Sequence, residues 1–100
     1  MAKEEAMQEL HQIEHQMQQF LMQRQQLSAQ IAEVNSAMKE VEAAKTTFKI
    51  VGSIMVDTPP EQLKKDLEQK KELLELRMKS IDKQEESLRK QAEELKEKVK

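Results

Sequence analysis

Apolar residues return every seven positions through most of this chain, and that repeat leaves few folds open. Ile13, Phe20, Leu27, Val34 and Val41 stand seven apart, and so do Leu10, Met17, Arg24, Ile31 and Met38. The two series interleave in steps of three and four. Such a pattern draws one stripe along a helix, and the stripe is buried only against a matching helix. Arg24 is its single polar member. Beyond the middle of the chain, Leu67, Leu74, Ile81, Leu88 and Leu95 repeat the spacing, with Lys71, Met78, Glu85, Ala92 and Val99 as companions. This second stripe is half polar or small, so it needs a partner shaped to it. Leu73 and Leu76 lie off the main line and are expected to widen the apolar face there.

Composition supports long helices over a globular core. Hydrophobic residues make up 37% of the 100 residues and charged residues 36%, with two Phe, no Trp and no Tyr. A compact core of this size wants more large apolar side chains. One Gly and two Pro leave little to punctuate the chain, so it is built from a few long elements. The 17 basic and 19 acidic residues give a net charge of -2. That balance presents no basic face for nucleic acid. The first ten residues carry Lys3, Glu4, Glu5 and Glu9 without an apolar run, so no signal peptide is expected. No stretch is apolar enough to span a membrane, and few basic residues on the first helix argue against a membrane-surface role. Absence of cysteine fits a reducing compartment, and the expected location is cytoplasmic.

The stretch Phe48-Lys49-Ile50-Val51-Gly52-Ser53-Ile54-Met55-Val56-Asp57 breaks the pattern. It is rich in β-branched residues around the only glycine, which predicts a short hairpin turning at Gly52-Ser53. Its Ile, Val and Met residues leave both faces partly apolar and both edges free. A lone hairpin is marginal, so Phe48, Ile50, Val51, Gly52, Ile54, Met55 and Val56 are read as an assembly element completed by other chains. Thr58, Pro59 and Glu61 read as a capping box with proline at the first helical position. The expected organisation is a single domain over residues 1–100. A first coiled-coil helix spans 4–44, a hairpin 47–57 and a second helix 59–99. The fold class is therefore dominated by α-structure: a long antiparallel two-helix coiled coil joined by one β-hairpin. Folding the chain at Gly52 sets Met38 against Leu67, Ile31 against Leu74, Met17 against Leu88 and Leu10 against Leu95. Two of the polar interruptions, Arg24 and Glu85, fall one layer apart and are read as a specificity pair.

Residues for catalysis are missing. His11 and His15 stand four apart with Glu14 between, which is not the zinc-protease arrangement. There is no phosphate-binding glycine loop and no cysteine nucleophile, so no enzyme, no metal and no cofactor is expected. The glutamines from Gln8 to Gln30 crowd the first helix; they read first as an ordinary solvated helix surface, and alternatively as a surface for adaptable polar contacts without fixed charge. At the helix ends, Met7, Leu10, Ile13, Ala92, Leu95 and Val99 are candidate binding residues for irregular apolar partners. Terminal turns of a coiled coil fray, and flexible methionine suits irregular apolar partners.

These residues together resemble the beta-class subunit of prefoldin. The hairpin resembles that family's aromatic-Lys-x-x-Gly segment, with Phe48 where Tyr is common. Leu76-Arg77-Met78-Lys79-Ser80-Ile81-Asp82-Lys83-Gln84-Glu85-Glu86 resembles a stretch of its second helix. Two departures stand out: Lys45-Thr46-Thr47 stands where an acidic pair is frequent, and the residues up to Lys100 do not include the Pro/Gly/Met-rich tail that many members carry. The resemblance implies a nucleotide-independent holding chaperone, a hexamer of two alpha-class and four beta-class subunits joined by their hairpins. It implies that the coiled-coil ends hold non-native proteins and deliver them to a group II chaperonin. Its partners are thus alpha-class subunits, further copies of itself, clients and the chaperonin. A spacer coiled coil without clients is the alternative, and it leaves the Ile/Val hairpin unexplained.

Overall fold

A computed structural model describes residues 2–100. Helix α1 runs Ala2–Ala43, strand β1 Thr47–Val51, strand β2 Ile54–Thr58 and helix α2 Pro60–Val99. The chain groups into two compact units. One comprises residues up to Leu27 together with Arg77–Lys100, and the other Ser28–Leu76.

In each unit α1 and α2 run antiparallel, and the heptad lines are what they bury. In the first unit the covered apolar residues are Ala6, Ile13, Leu27, Ile81 and Leu95. Leu10, Met17, Leu88, Ala92 and Val99 pack half-buried around Ala6, Ile13 and Leu95. In the second unit the covered residues are Val34, Val41 and Leu74, with Thr47 at the foot of the hairpin. Every position of the four heptad series is buried or half-buried. Leu73 and Leu76 depart from expectation: both are exposed. They lie too far round the helix for a two-helix pair, which covers a narrow seam and not a broad face.

Strands β1 and β2 form a two-stranded antiparallel sheet in which Val51 pairs with Ile54 and Thr47 with Thr58. Gly52 has φ 62°, and no other described residue has positive φ. Glycine in the left-handed region at the first central position, followed by an ordinary Ser53, is the type II′ pattern, whose twist matches a hairpin.

The start of α2 corrects the capping expectation. The helix begins at Pro60, one residue later than expected, because the carbonyl of Pro59 accepts the first helical bond, from Leu63 N–H at 3.1 Å. Pro60 takes the first helical position, where a missing N–H costs nothing. Thr58 does not cap. It is the last residue of β2, and its Oγ1 donates to the Val56 carbonyl at 3.2 Å. The hairpin claims it before the helix does. Lys96 and Lys98 in the last turn of α2, and Glu61 in its first, complement the helix dipole.

Candidate functional site

The hairpin's two faces follow from its register, since paired residues share a face and alternate along each strand. Phe48, Ile50, Met55 and Asp57 lie on one face. Thr47, Lys49, Val51, Ile54, Val56 and Thr58 lie on the other. Phe48, Ile50, Val51, Ile54, Met55 and Val56 are all 44–70% exposed. Six large apolar side chains on ten strand residues, all open to water, form a patch of the kind that marks an interaction surface. Both outer strand edges present unpaired backbone groups as well.

Polar contacts anchor the foot of this patch. The buried Thr47 donates its Oγ1 proton to the Thr58 carbonyl, tying the strand ends together. Lys49 Nζ stands 3.5 Å from Asp66 Oδ2 on α2, and Lys64 Nζ stands 3.6 Å from Glu42 Oε1 on α1. Neither ion pair was legible in the sequence, because charged residues are too common here for any one pairing to stand out.

Arg24 and Glu85 meet in the first unit. Arg24 Nη2 donates to Glu85 Oε2 at 2.8 Å and Nε to Oε1 at 3.3 Å, a two-pronged contact. The Glu85 side chain is 13% exposed and that of Arg24 37%. Arg24 also contacts Asp82, which is half exposed. Asp82 lies one position past the seam residue Ile81 and carried no periodic signal.

The six candidate holding residues divide. Ile13 and Leu95 are buried, while Leu10, Ala92 and Val99 pack against them and Ala6. Met7 alone among the six is open, at 45% exposure. Ala6 is the residue sequence reading missed. It stands seven before Ile13 and continues that line, and its small size hid it. His11 and His15 are exposed on α1. Among the described residues, no three His, Cys, Asp or Glu side chains group to hold a metal, and no helix is long and apolar enough to cross a membrane.

Comparison with known proteins follows the same lines. The family model described as prefoldin subunit matches residues 4–100. The crystal structure of the prefoldin beta subunit from Thermococcus strain KS-1 superposes with a TM-score of 0.91 at 25% identity, covering 97% of this chain and 88% of that one. No curated protein matches the sequence.

Proposed function

This chain belongs to the prefoldin subunit family, and on that premise we propose that it works as one beta-class subunit of a hetero-oligomeric holding chaperone. In this reading residues 1–100 act as one prefoldin-like domain. The hairpin joins it to alpha-class subunits and to further copies of itself. Coiled-coil ends hold non-native proteins in the cytoplasm, without catalysis or cofactor, and pass them to a group II chaperonin. One observation carries the proposal: the six exposed apolar residues of the hairpin. They are a large hydrophobic liability on a single chain, and association with other hairpins removes it.

The holding end is proposed to be the cluster of Met7, Leu10, Ile13, Ala92, Leu95 and Val99. Its packing supports a division of labour. Met7 offers open, adaptable apolar surface. The remaining five keep the helices paired and reach a client only when the last turns open. Several weak contacts on separate subunits then add through effective concentration. The test is to mix the chain with an alpha-class subunit, measure the assembled mass by sedimentation, and follow aggregation of a denatured protein by light scattering. The proposal expects a complex heavier than either component and lower scattering. Unmixed components, or scattering equal to the control, reject it.

A further inference from the structure

The first unit has two unlike sides. Side chains that immediately precede a seam residue flank the seam on one side, and those that follow it flank the other. On α1 the preceding positions are Gln12, Gln16, Gln19, Gln23 and Gln26. On α2 they are Ser80, Gln84, Ser87 and Gln91. All nine are uncharged. On the same stretch of α2 the following positions are Lys79, Asp82, Glu86, Arg89 and Glu93, charged without exception, whereas on α1 the following positions His11, Glu14, Gln18, Leu21 and Gln25 carry a single carboxylate, so the contrast between the two sides comes from α2. In a chain that is 36% charged, a neutral side of this length is a specific feature.

The two neutral flanks meet. An open groove of about 370 Å³ is lined by Gln16, Gln19 and Phe20 of α1 and by Gln84, Ser87 and Leu88 of α2. Half-buried Phe20 and Leu88 make an apolar floor between amide and hydroxyl rims. Gln19 makes only a long contact, 3.5 Å to His15, so its amide has capacity to spare. Charges close the neutral stretch at both ends: Glu9 and Glu94 at one, Arg77 at the other.

We propose that this neutral side is a docking surface for extended segments of non-native polypeptide, held by their backbones. Each glutamine amide both donates and accepts, which matches the N–H and C=O groups of an extended chain whatever its sequence. From Gln12 to Gln26 the helix rises about 21 Å, the length of about six extended residues. The neutral rim selects against neither acidic nor basic segments, and the apolar floor takes one or two side chains. This inference rests on the chaperone reading above but moves part of the holding work from the helix end to one flank of the coiled coil.

The chain has no cysteine, so single cysteines on the full chain, assembled with its partner subunits, take a benzophenone photo-crosslinker cleanly. The probe is reduced, carboxymethylated lactalbumin, which stays unfolded and acidic. Labels at Gln19→Cys and Gln84→Cys are expected to capture it, and labels at Gln25→Cys and Arg89→Cys on the other side are not. The pair Gln16→Glu and Gln19→Glu is expected to lower capture about fivefold at low salt, with less effect at high salt. The pair Gln18→Glu and Gln25→Glu is expected to leave it within about twofold. Equal capture on both sides overturns the inference. Capture at a Met7→Cys label alone also overturns it, while leaving the chaperone reading intact. No capture at any position, together with no suppression of aggregation, overturns both.

Discussion

Replacing Arg24 with leucine separates two opposing effects, and the geometry says which wins. Arg24 satisfies a carboxylate that is only 13% exposed, with two hydrogen bonds. Removing it leaves Glu85 with little water and no cation. Hydrogen bonds to charged groups contribute about 1.5–3 kcal/mol. Arg24 itself is 37% exposed, so solvent screening pulls the figure toward the low end. The lost contact with half-exposed Asp82 adds only ~0.2–1 kcal/mol. The new leucine recovers part of this by burial in the seam. The expected net cost is about 1–2 kcal/mol, less than the ~3–5 kcal/mol of a fully desolvated pair. Glu85→Leu behaves differently. It places an apolar residue in a seam bordered by Ile81 and Leu88, and leaves Arg24 partly hydrated and still beside Asp82. It is expected to fall within about 0.5 kcal/mol of the parent. The double variant is expected to be more stable than the parent by ~1–3 kcal/mol, since two polar interruptions become continuous seam. Urea unfolding of all four proteins, followed by circular dichroism at 222 nm, closes the cycle. A coupling near zero, or Arg24→Leu as stable as the parent, refutes the argument that the half-buried pair acts as one coupled unit.

Other variants probe the remaining parts. Ile50→Asp with Ile54→Asp is expected to keep both helices while dissociating the assembly, because charge enters the apolar hairpin patch; an unchanged mass on sedimentation contradicts this. Gly52→Ala meets no neighbouring atom but forces alanine to φ 62°, so a cost of about 1–3 kcal/mol is expected to fall on assembly and not on helix content. Native mass spectrometry beside circular dichroism tests that split. Leu95→Ala is expected to cost about 2–3 kcal/mol by emptying a buried seam position, and Met7→Ser less than about 0.5 kcal/mol. Met7→Ser is expected to weaken client holding more than Leu95→Ala at temperatures where both proteins are folded, and equal loss in the two variants rejects Met7 as the open contact.

Periodicity alone determined most of this protein. A seven-residue repeat names the buried face of each helix, and all the seam residues it named are buried or half-buried. A lone glycine among β-branched residues names the turn, because a type II′ bend needs positive φ just there. The antiparallel register, and with it the meeting of Arg24 and Glu85, follows from two seams closed by one short hairpin. What the sequence left open were choices between alternatives of equal local merit. Thr58 serves either as a helix cap or as a strand end, and its hydrogen bond to Val56 settles it as a strand end. Leu73 and Leu76 look like a widening of the apolar face, yet two helices cover only a narrow strip and leave both outside. Ala6 is buried and Met7 open, although methionine is the larger apolar residue, because the rotation of α1 about its axis decides which of two neighbours faces α2. The ion pairs Lys49–Asp66 and Lys64–Glu42 were invisible for the same reason: sequence spacing sets the face a side chain occupies, and only packing brings that face to its partner.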